Sequence, residues 1–131
     1  MMTKEERDAV VEYRIEKAHN TLGEIPFLIE KDMLSTAVNR LYYSCFYAAY
    51  ALLISRKIVT KTHNGVIRML ALHFTKTEKL SLELNDFYIE LFDHRNSSDY
   101  ADFIYFDKET VEELYKQAIV FVDTIEKLIE K

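Results

Sequence analysis

The chain has 131 residues, of which 49% are hydrophobic and 30% are charged, and its formal net charge is −5. These values are typical of a soluble globular protein, so we expect residues 1–131 to form one domain. One cysteine excludes a disulfide framework, and the longest apolar run is too interrupted for a membrane span, so we expect the protein to be cytoplasmic. Two glycines and one proline leave little material for turns, which favours long helices joined by short connections.

The first predicted helix begins at Met2 or Thr3. Acidic residues near its start suit the positive end of a helix dipole, and its apolar stripe has helical spacing: Val11, Ile15, Ala18 and Leu22. Gly23 and Pro26 predict a break or kink near residues 24–25, because proline lacks the N–H that a helix interior uses. We expect a short helical continuation over residues 27–29.

The stretch from Ala37 to Leu53 is predicted to be the central helix of a bundle. This helix is expected to begin at Asp32 or Ser35 and to end near Arg56. Its wider face is apolar and can pack against two or three other helices. Its narrower face carries one cation and a row of tyrosines: Asn39, Arg40, Tyr43, Ser44, Tyr47 and Tyr50. Such a face fits a core helix with hydroxyl groups at the surface, or else a subunit contact or a polar groove.

Residues 58–64 form the first predicted loop. Thr62 or Asn64 can cap a third helix that runs from Gly65 to about Thr75. Lys61, His63 and Asn64 are polar candidates for a binding site in this loop. For His63 and Asn64, loop structure and helix capping are the simpler roles.

Charge is unevenly distributed along the chain. Residues 33–77 contain six lysines and arginines and no acid. This segment could form a basic face for a nucleic acid, although the chain as a whole is acidic. The alternative is that the acids are concentrated on the outer helices because those helices are solvated. The sequence leaves both interpretations open.

The fourth predicted helix, from about Leu80 to Tyr100, contains an arginine in its apolar stripe. Arg95 follows Leu91 and Phe92 at the spacing of the stripe. A guanidinium in a packed seam requires a partner or a wet cleft. A local ion pair with Asp99 at i,i+4 is the structural alternative. Asp107 is predicted to cap a last amphipathic helix that runs to the end of the chain.

Several kinds of chemistry are absent from the pattern. Two separated glycines cannot form a glycine-rich phosphate loop. One cysteine and four dispersed histidines give no metal-ligand spacing, and the Glu-x-x-His pairs of di-iron bundles are missing. We therefore predict no metal and no cofactor. The polar residues that remain as candidates for a functional site lie in three places: residues 39–40, 61–64 and 94–99.

At these places the chain resembles the HEPN family, the "higher eukaryotes and prokaryotes nucleotide-binding" domains. The resemblance covers nearly the whole chain and rests on four stretches in register: NRLYYSCFYAAYALL from Asn39, KTHNGV from Lys61, HRNSSDYADF from His94, and AIVFVDTIEKLI in the closing helix. It implies an all-α, up-and-down bundle of four to five helices that is usually a dimer. Many members of the family are encoded beside a small nucleotidyltransferase, and the two act as a toxin–antitoxin pair.

The catalytic members of the family are metal-independent endoribonucleases. Their motif has an arginine followed by a polar residue, and a histidine that is separated from the arginine by four to six residues in all. Arg95 and Asn96 match the first two positions, but the histidine position falls on Tyr100 or, at longer spacings, on residues 101–102. Tyrosine, with a pKa near 10, is a poor base at neutral pH. His94 is about 100° away around the helix, and His63 can substitute only if the fold brings it near Arg95.

Three hypotheses follow from the resemblance. The first is a dimeric binding or regulatory protein that engages RNA, a nucleotide or a nucleotidyltransferase partner. Its candidate binding residues are Arg40, Tyr43, Tyr47, Lys61, His63, Asn64, His94 and Asp99. The second is a metal-independent endoribonuclease with Arg95, Asn96 and Tyr100 as candidate catalytic residues. The third is a dimeric structural domain in which Arg95 and Asp99 form only a structural pair.

Overall fold

The structure, a computed structural model, describes residues 2–100 and 106–131, without the side chains of residues 97–100. Within this part of the chain the fold is an all-α bundle of five helices, as predicted. The helices are α1 (Lys4–Glu30), α2 (Leu34–Ser55), α3 (His63–Leu70), α4 (Leu82–Tyr100) and α5 (Lys108–Glu130). A π-helical turn, Ala71–Thr75, continues α3. No described helix combines the length and the apolar character needed to cross a membrane.

Helix α1 begins where predicted but has no break at Pro26. The hydroxyl oxygen of Thr3 accepts a hydrogen bond from the Glu6 N–H, and the Glu6 carboxylate accepts one from the Thr3 N–H. The predicted break near residues 24–25 is wrong, because the helix continues to Glu30. Proline removes one backbone donor, but Ile25 and Leu28 on either side of it are buried. Burial of this stretch holds the helix together across the proline.

The start of α2 is also different from the prediction, because neither Asp32 nor Ser35 caps it. The N-cap is Met33, whose side chain makes no capping hydrogen bond. Asp32 has a φ of 60°, and the Met33 N–H donates to the Leu28 carbonyl at 2.8 Å. The closing turn of α1 therefore determines where α2 begins. Asp tolerates this left-handed conformation better than most residues.

Helix α2 is the central helix, as its two-faced pattern predicts. It contacts each of the other helices. Its wide face is buried throughout the bundle, and Leu41, Tyr42, Cys45 and Leu52 have no exposed surface. Burial raises the pKa of the Cys45 thiol, so this cysteine is a packing residue and is not a nucleophile at neutral pH.

The loop before α3 is fixed by a cap and a glycine. The Thr62 hydroxyl oxygen accepts a hydrogen bond from the Gly65 N–H at 2.8 Å, so Thr62 is the N-cap, one of the two predicted candidates. A side chain at position 65 would overlap the Thr60 hydroxyl and lie 2.9 Å from the Thr62 hydroxyl. Gly65 thus allows the loop to close over the start of α3, which places His63 in the first turn.

Helices α4 and α5 complete the core. Phe87, Tyr88 and Leu91 of α4 are buried, as the predicted stripe requires. Asp107 caps α5, as predicted, because its carboxylate accepts a hydrogen bond from the Thr110 N–H at 2.7 Å. Since α2 lies between the other helices, side chains from α3 and α4 can meet over its aromatic residues.

Candidate functional site

The side chain of Arg95, which belongs to the apolar stripe of α4, lies against aromatic residues of α2. Its Nη2 donates a hydrogen bond to the Tyr43 hydroxyl oxygen at 3.0 Å. Its guanidinium carbon lies 5.3 Å from the centre of the Tyr43 ring and 5.6 Å from the centre of the Tyr42 ring. These contacts satisfy the requirement that a cation in a packed seam has partners. The side chain is half-buried, so part of it remains accessible to a ligand.

His63 approaches the same two tyrosines from the start of α3. Its Nδ1 lies 2.6 Å from the Tyr42 hydroxyl oxygen. Its ring stacks on Phe46 with a centroid distance of 4.5 Å and lies 6.0 Å from the Tyr43 ring. Arg95 and His63 therefore share Tyr42 and Tyr43 as neighbours. The fold meets the condition under which His63 can substitute for the missing histidine.

The environment of His63 favours a neutral imidazole. Partial burial lowers its pKa, and the positive charge of Arg95 lowers the pKa further. Burial also raises the pKa of Tyr42, so the hydroxyl that pairs with His63 keeps its proton at neutral pH. A neutral imidazole can accept a proton, whereas a protonated one cannot.

We call Arg95, His63, Tyr42, Tyr43 and Phe46 the Arg95–His63 site. A guanidinium is suited to bind phosphate oxygens, because its donors are planar and permanently charged. The imidazole can act as a base at Nε2 when Nδ1–H donates to the Tyr42 oxygen. The site thus combines an anion-binding group with a proton acceptor. Both kinds of group are needed to bind a phosphodiester and to activate a hydroxyl next to it.

Of the other candidate catalytic residues, only Asn96 has a side chain that the structure describes. Asn96 is adjacent to Arg95, whose Nη1 donates to its Oδ1 at 3.4 Å. The side chains of Tyr100 and Asp99 lie outside the described residues. The alternatives that involve them, a Tyr100 base and an Arg95–Asp99 ion pair, stay predictions.

Four candidate binding residues lie at the edges of the site or apart from it. Arg40 is paired with Glu24 of α1 at 3.1 Å. His94 lies 3.2 Å from Glu90 on its own helix and edge-on to Phe106. The structure therefore separates His94 from Arg95, as the helical rotation between adjacent residues predicts. Lys61 and Asn64 are exposed beside His63.

Two cations of the basic segment lie at opposite ends of α2. Arg40 is near the start of α2, and Arg56 follows its end, so about 24 Å of helix separates them at 1.5 Å per residue. The Arg56 guanidinium donates to the Leu128 carbonyl near the end of α5 at 2.6 Å. Two of the six cations are thus structural contacts at opposite ends of the bundle.

The site also includes residues that sequence reasoning assigned elsewhere. The sequence indicated that Tyr42 and Phe46 belong to the apolar face of α2 that packs in the core, yet both contact His63.

Two cations of α1 lie over other tyrosines of α2. Lys17 is 4.8 Å from the centre of the Tyr47 ring, and Arg14 is 5.2 Å from the centre of the Tyr50 ring. No sequence signal singles out Lys17 and Arg14, because both are ordinary polar positions on an amphipathic helix.

One group of residues could hold a divalent metal ion, at a distance from this site. His19 of α1 and Asp123 and Glu126 of α5 each offer a ligand atom, and these atoms lie within 4.8 Å of one another. His19 Nε2 is 2.8 Å from a Glu126 carboxylate oxygen, an ordinary surface ion-pair distance. The sequence could not indicate this group, because 107 positions separate His19 from Glu126.

Comparison with known proteins places the chain in a family. The family model described as "HEPN domain" matches residues 11–128. The chain belongs to the HEPN family. The matched range contains α2 to α4 entirely and therefore includes every residue of the Arg95–His63 site.

Relatives of this HEPN protein cover most of its length. It is 37% identical to the "UPF0332 protein" of Thermotoga maritima over 95% of both chains. It is 35% identical to "Putative toxin MJ0142" of Methanocaldococcus jannaschii, over 91% of this chain and 81% of that protein. A second protein of that organism, "Putative toxin MJ0605", is 32% identical over 89% of this chain and 87% of its own length. Two similar proteins thus carry names that describe a toxin.

Proposed function

We propose that this HEPN protein is a toxin-like RNA-binding module whose Arg95–His63 site binds the RNA backbone. The observation that carries the proposal is the convergence of Arg95 from α4 and His63 from α3 on the same two tyrosines. A guanidinium held by aromatic rings can bind a phosphate oxygen, and a half-exposed tyrosine ring can stack on a base. The names of the relatives supply the toxin-like role.

The proposal includes a protein partner and a second copy. A toxin is usually held inactive by an antitoxin, and the family resemblance indicates a small nucleotidyltransferase for that role. The resemblance also indicates a homodimer, which would present two Arg95–His63 sites. We place both interactions in the cytoplasm, where such a partner and cellular RNA are present. None of these interactions is needed for RNA to contact Arg95.

A second candidate function is metal-independent cleavage of RNA, and the position of His63 favours it. The ribose 2′-oxygen would attack the adjacent phosphorus while its proton passes to Nε2 of His63. The bond from phosphorus to the 5′-oxygen would break, and that oxygen would leave with a proton from the imidazolium. The products are a 2′,3′-cyclic phosphate and a 5′-hydroxyl. Arg95 would stabilise the charge on the phosphate oxygens. Cleavage therefore requires His63, whereas binding requires only Arg95 and its aromatic support.

The first experiment measures RNA affinity. We expect Arg95→Ala to weaken binding of labelled single-stranded RNA by roughly 10- to 100-fold, because a charge-assisted hydrogen bond contributes about 1.5–3 kcal/mol. The matched control is Arg68→Ala, which removes an exposed arginine of α3 and should change the affinity by less than about twofold. Circular dichroism checks that both variants fold.

Two results would contradict the RNA-binding proposal. One is a folded wild-type protein that binds no RNA at moderate salt. The other is an equal loss of affinity in Arg95→Ala and Arg68→Ala, which would indicate a general charge effect without a defined site. Anisotropy titrations at two salt concentrations separate the two results.

A further inference from the structure

A row of tyrosines extends from the Arg95–His63 site along α2. Tyr43, Tyr47 and Tyr50 are spaced i, i+4 and i+7, so they share one face over about 10 Å of helix. Each ring is half-exposed and has a cation over it. The pairs are Arg95 with Tyr43 at 5.3 Å, Lys17 with Tyr47 at 4.8 Å, and Arg14 with Tyr50 at 5.2 Å, measured from the cation to the ring centre.

A fourth aromatic ring widens this row. Tyr13 of α1 is 58% exposed. The ammonium of Lys17 lies 5.8 Å from the Tyr13 ring and 4.8 Å from the Tyr47 ring, so it sits between an exposed ring and a half-exposed one. We call the set Tyr13, Arg14, Lys17, Tyr43, Tyr47, Tyr50 and Arg95 the tyrosine–cation strip.

Acidic side chains are concentrated in a cleft outside this strip. The cleft between α4 and α5, about 440 Å³ in volume, is lined by four acids and one lysine: Glu83, Asp86, Glu90, Glu113 and Lys116. That side of the protein repels a phosphate backbone. Arg40 is already paired with Glu24 at the end of the strip nearest the start of α2. The strip's positive charge therefore comes from Arg14, Lys17 and Arg95.

We propose that the tyrosine–cation strip is a track for single-stranded RNA that leads from the Arg95–His63 site to Tyr50. The inference rests on the proposed RNA-binding function and names the path of the strand. Alternating rings and cations match the two groups of a nucleotide, because bases stack on aromatic faces and phosphates pair with cations. At roughly 3.4 Å per stacked nucleotide, about 10 Å of track accommodates about three nucleotides. Double-stranded RNA has no unstacked bases to place on these rings.

The test compares two lengths of oligouridine, which has little structure of its own. A labelled dinucleotide has one internucleotide phosphate and can occupy the Arg95–His63 site, whereas an octamer can also occupy the strip. In wild-type protein the octamer should bind at least tenfold more tightly than the dinucleotide. The double variant Arg14→Gln/Lys17→Gln should lose about tenfold in octamer affinity and less than twofold in dinucleotide affinity. Its salt slope for the octamer should fall by about 1.4, since each phosphate contact on a single strand contributes about 0.7.

The matched control is Lys4→Gln/Arg7→Gln, which removes the same charge from the same helix outside the strip. It should change both affinities by less than twofold. Tyr13→Ala is a second strip variant that leaves the charge intact, and it should weaken octamer binding several-fold because a stacking ring is lost. Circular dichroism confirms folding of each variant, and sedimentation gives its oligomeric state.

Different failures identify which inference is wrong. Equal octamer binding by wild type and the strip variants, with dinucleotide binding still dependent on Arg95, would overturn the track and leave the Arg95–His63 site. Octamer binding that depends on Arg14 and Lys17 but not on Arg95 would support the strip as an RNA surface and overturn the proposed function at Arg95. Absence of RNA binding by the wild type would overturn both. A change in oligomeric state without a change in RNA affinity would identify the strip as a subunit contact and overturn the track.

Discussion

At the scale of single residues, Arg95 and His63 carry the candidate chemistry because of what surrounds them. A guanidinium within a helix seam would be costly if it were isolated. Here Tyr43 accepts its hydrogen bond and two aromatic rings lie beneath it. The same guanidinium lowers the pKa of His63, which adds to the effect of burial. Arg95 therefore has two effects at the site: it presents a positive charge and it keeps the neighbouring imidazole neutral.

A cleavage assay tests the chemistry at this scale. We expect wild-type protein to cleave single-stranded RNA in EDTA, and His63→Gln to slow cleavage by roughly 10²- to 10⁴-fold, the usual contribution of a general base. RNA affinity should change by less than about threefold, because Arg95 remains. His73→Gln removes an exposed histidine of the π-helical turn and is the matched control. A wild type that binds RNA without cleaving it would contradict the nuclease function and leave the binding function.

The rate of the same cleavage reaction should change with pH in a defined direction. A base must be unprotonated, so the rate should rise with pH through the pKa of His63. Because burial and Arg95 lower this pKa, the rate should reach its plateau at a lower pH than it would with an unperturbed histidine. Arg95→Lys keeps the positive charge and should leave this acid limb in place. Arg95→Ala removes the charge, raises the pKa of His63 and should shift the acid limb toward higher pH, as NMR titration of the imidazole can also measure.

At the scale of elements, the start of α3 determines where His63 lies. Thr62 caps the helix, and Gly65 provides the space in which the hydroxyls of Thr60 and Thr62 sit. The KTHNGV stretch therefore determines the position of the His63 imidazole. Phe46 of α2 then fixes the ring by stacking at 4.5 Å.

The two glycines of the chain should respond to alanine in opposite directions. Gly65→Ala introduces a Cβ that overlaps Thr60 and crowds the capping hydroxyl of Thr62. We expect it to lower the free energy of unfolding by about 1–2 kcal/mol, the range for loss of an N-cap, and to displace His63. Gly23→Ala meets no atom within 4 Å and lies inside α1. It should raise the free energy of unfolding by about 0.5–1 kcal/mol. Urea denaturation measures both, and a shared sign would contradict this account.

At the scale of the whole molecule, α2 connects all the other helices. Its wide face has no exposed surface at most positions, and each of the other helices contacts α2. The candidate site and the hydrophobic core therefore both depend on α2. Tyr42, for example, is both a fully buried core residue and the hydrogen-bond partner of His63. The site is therefore rigidly attached to the core, which favours a fixed geometry between Arg95 and His63.

Truncation of a core leucine tests this arrangement. Leu52→Ala, at a fully buried position of α2, should lower the free energy of unfolding by about 2–5 kcal/mol, because it removes buried methyl groups and leaves a cavity. Leu72→Ala makes the same chemical change at a side chain that is 48% exposed and should cost less than about 1 kcal/mol. Urea denaturation followed by fluorescence and by circular dichroism should give coincident transitions. Separate transitions for different helices would contradict a single core organised by α2.

Local patterns in the sequence predicted much of this protein. Helical periodicity identified the all-α class, the central role of α2 and the anomalous position of Arg95. Capping residues located the starts of α1 and α5 and limited the start of α3 to two candidates. Four motifs in register identified the HEPN family. Apart from the register of the four motifs, these features depend on residues within about four positions of one another, and such interactions are present in the sequence before any packing occurs.

Only the tertiary structure decided the remaining features. Burial on both sides of Pro26 kept α1 continuous although the local signal predicted a break, and the turn at Asp32 determined the start of α2. Packing of α3 and α4 on α2 brought His63 within the aromatic cluster that holds Arg95, although 32 positions separate the two residues. Packing of α1 set Lys17 and Arg14 over the tyrosines. Side-chain contacts between helices depend on relative rotation and crossing, and no spacing within one helix specifies those.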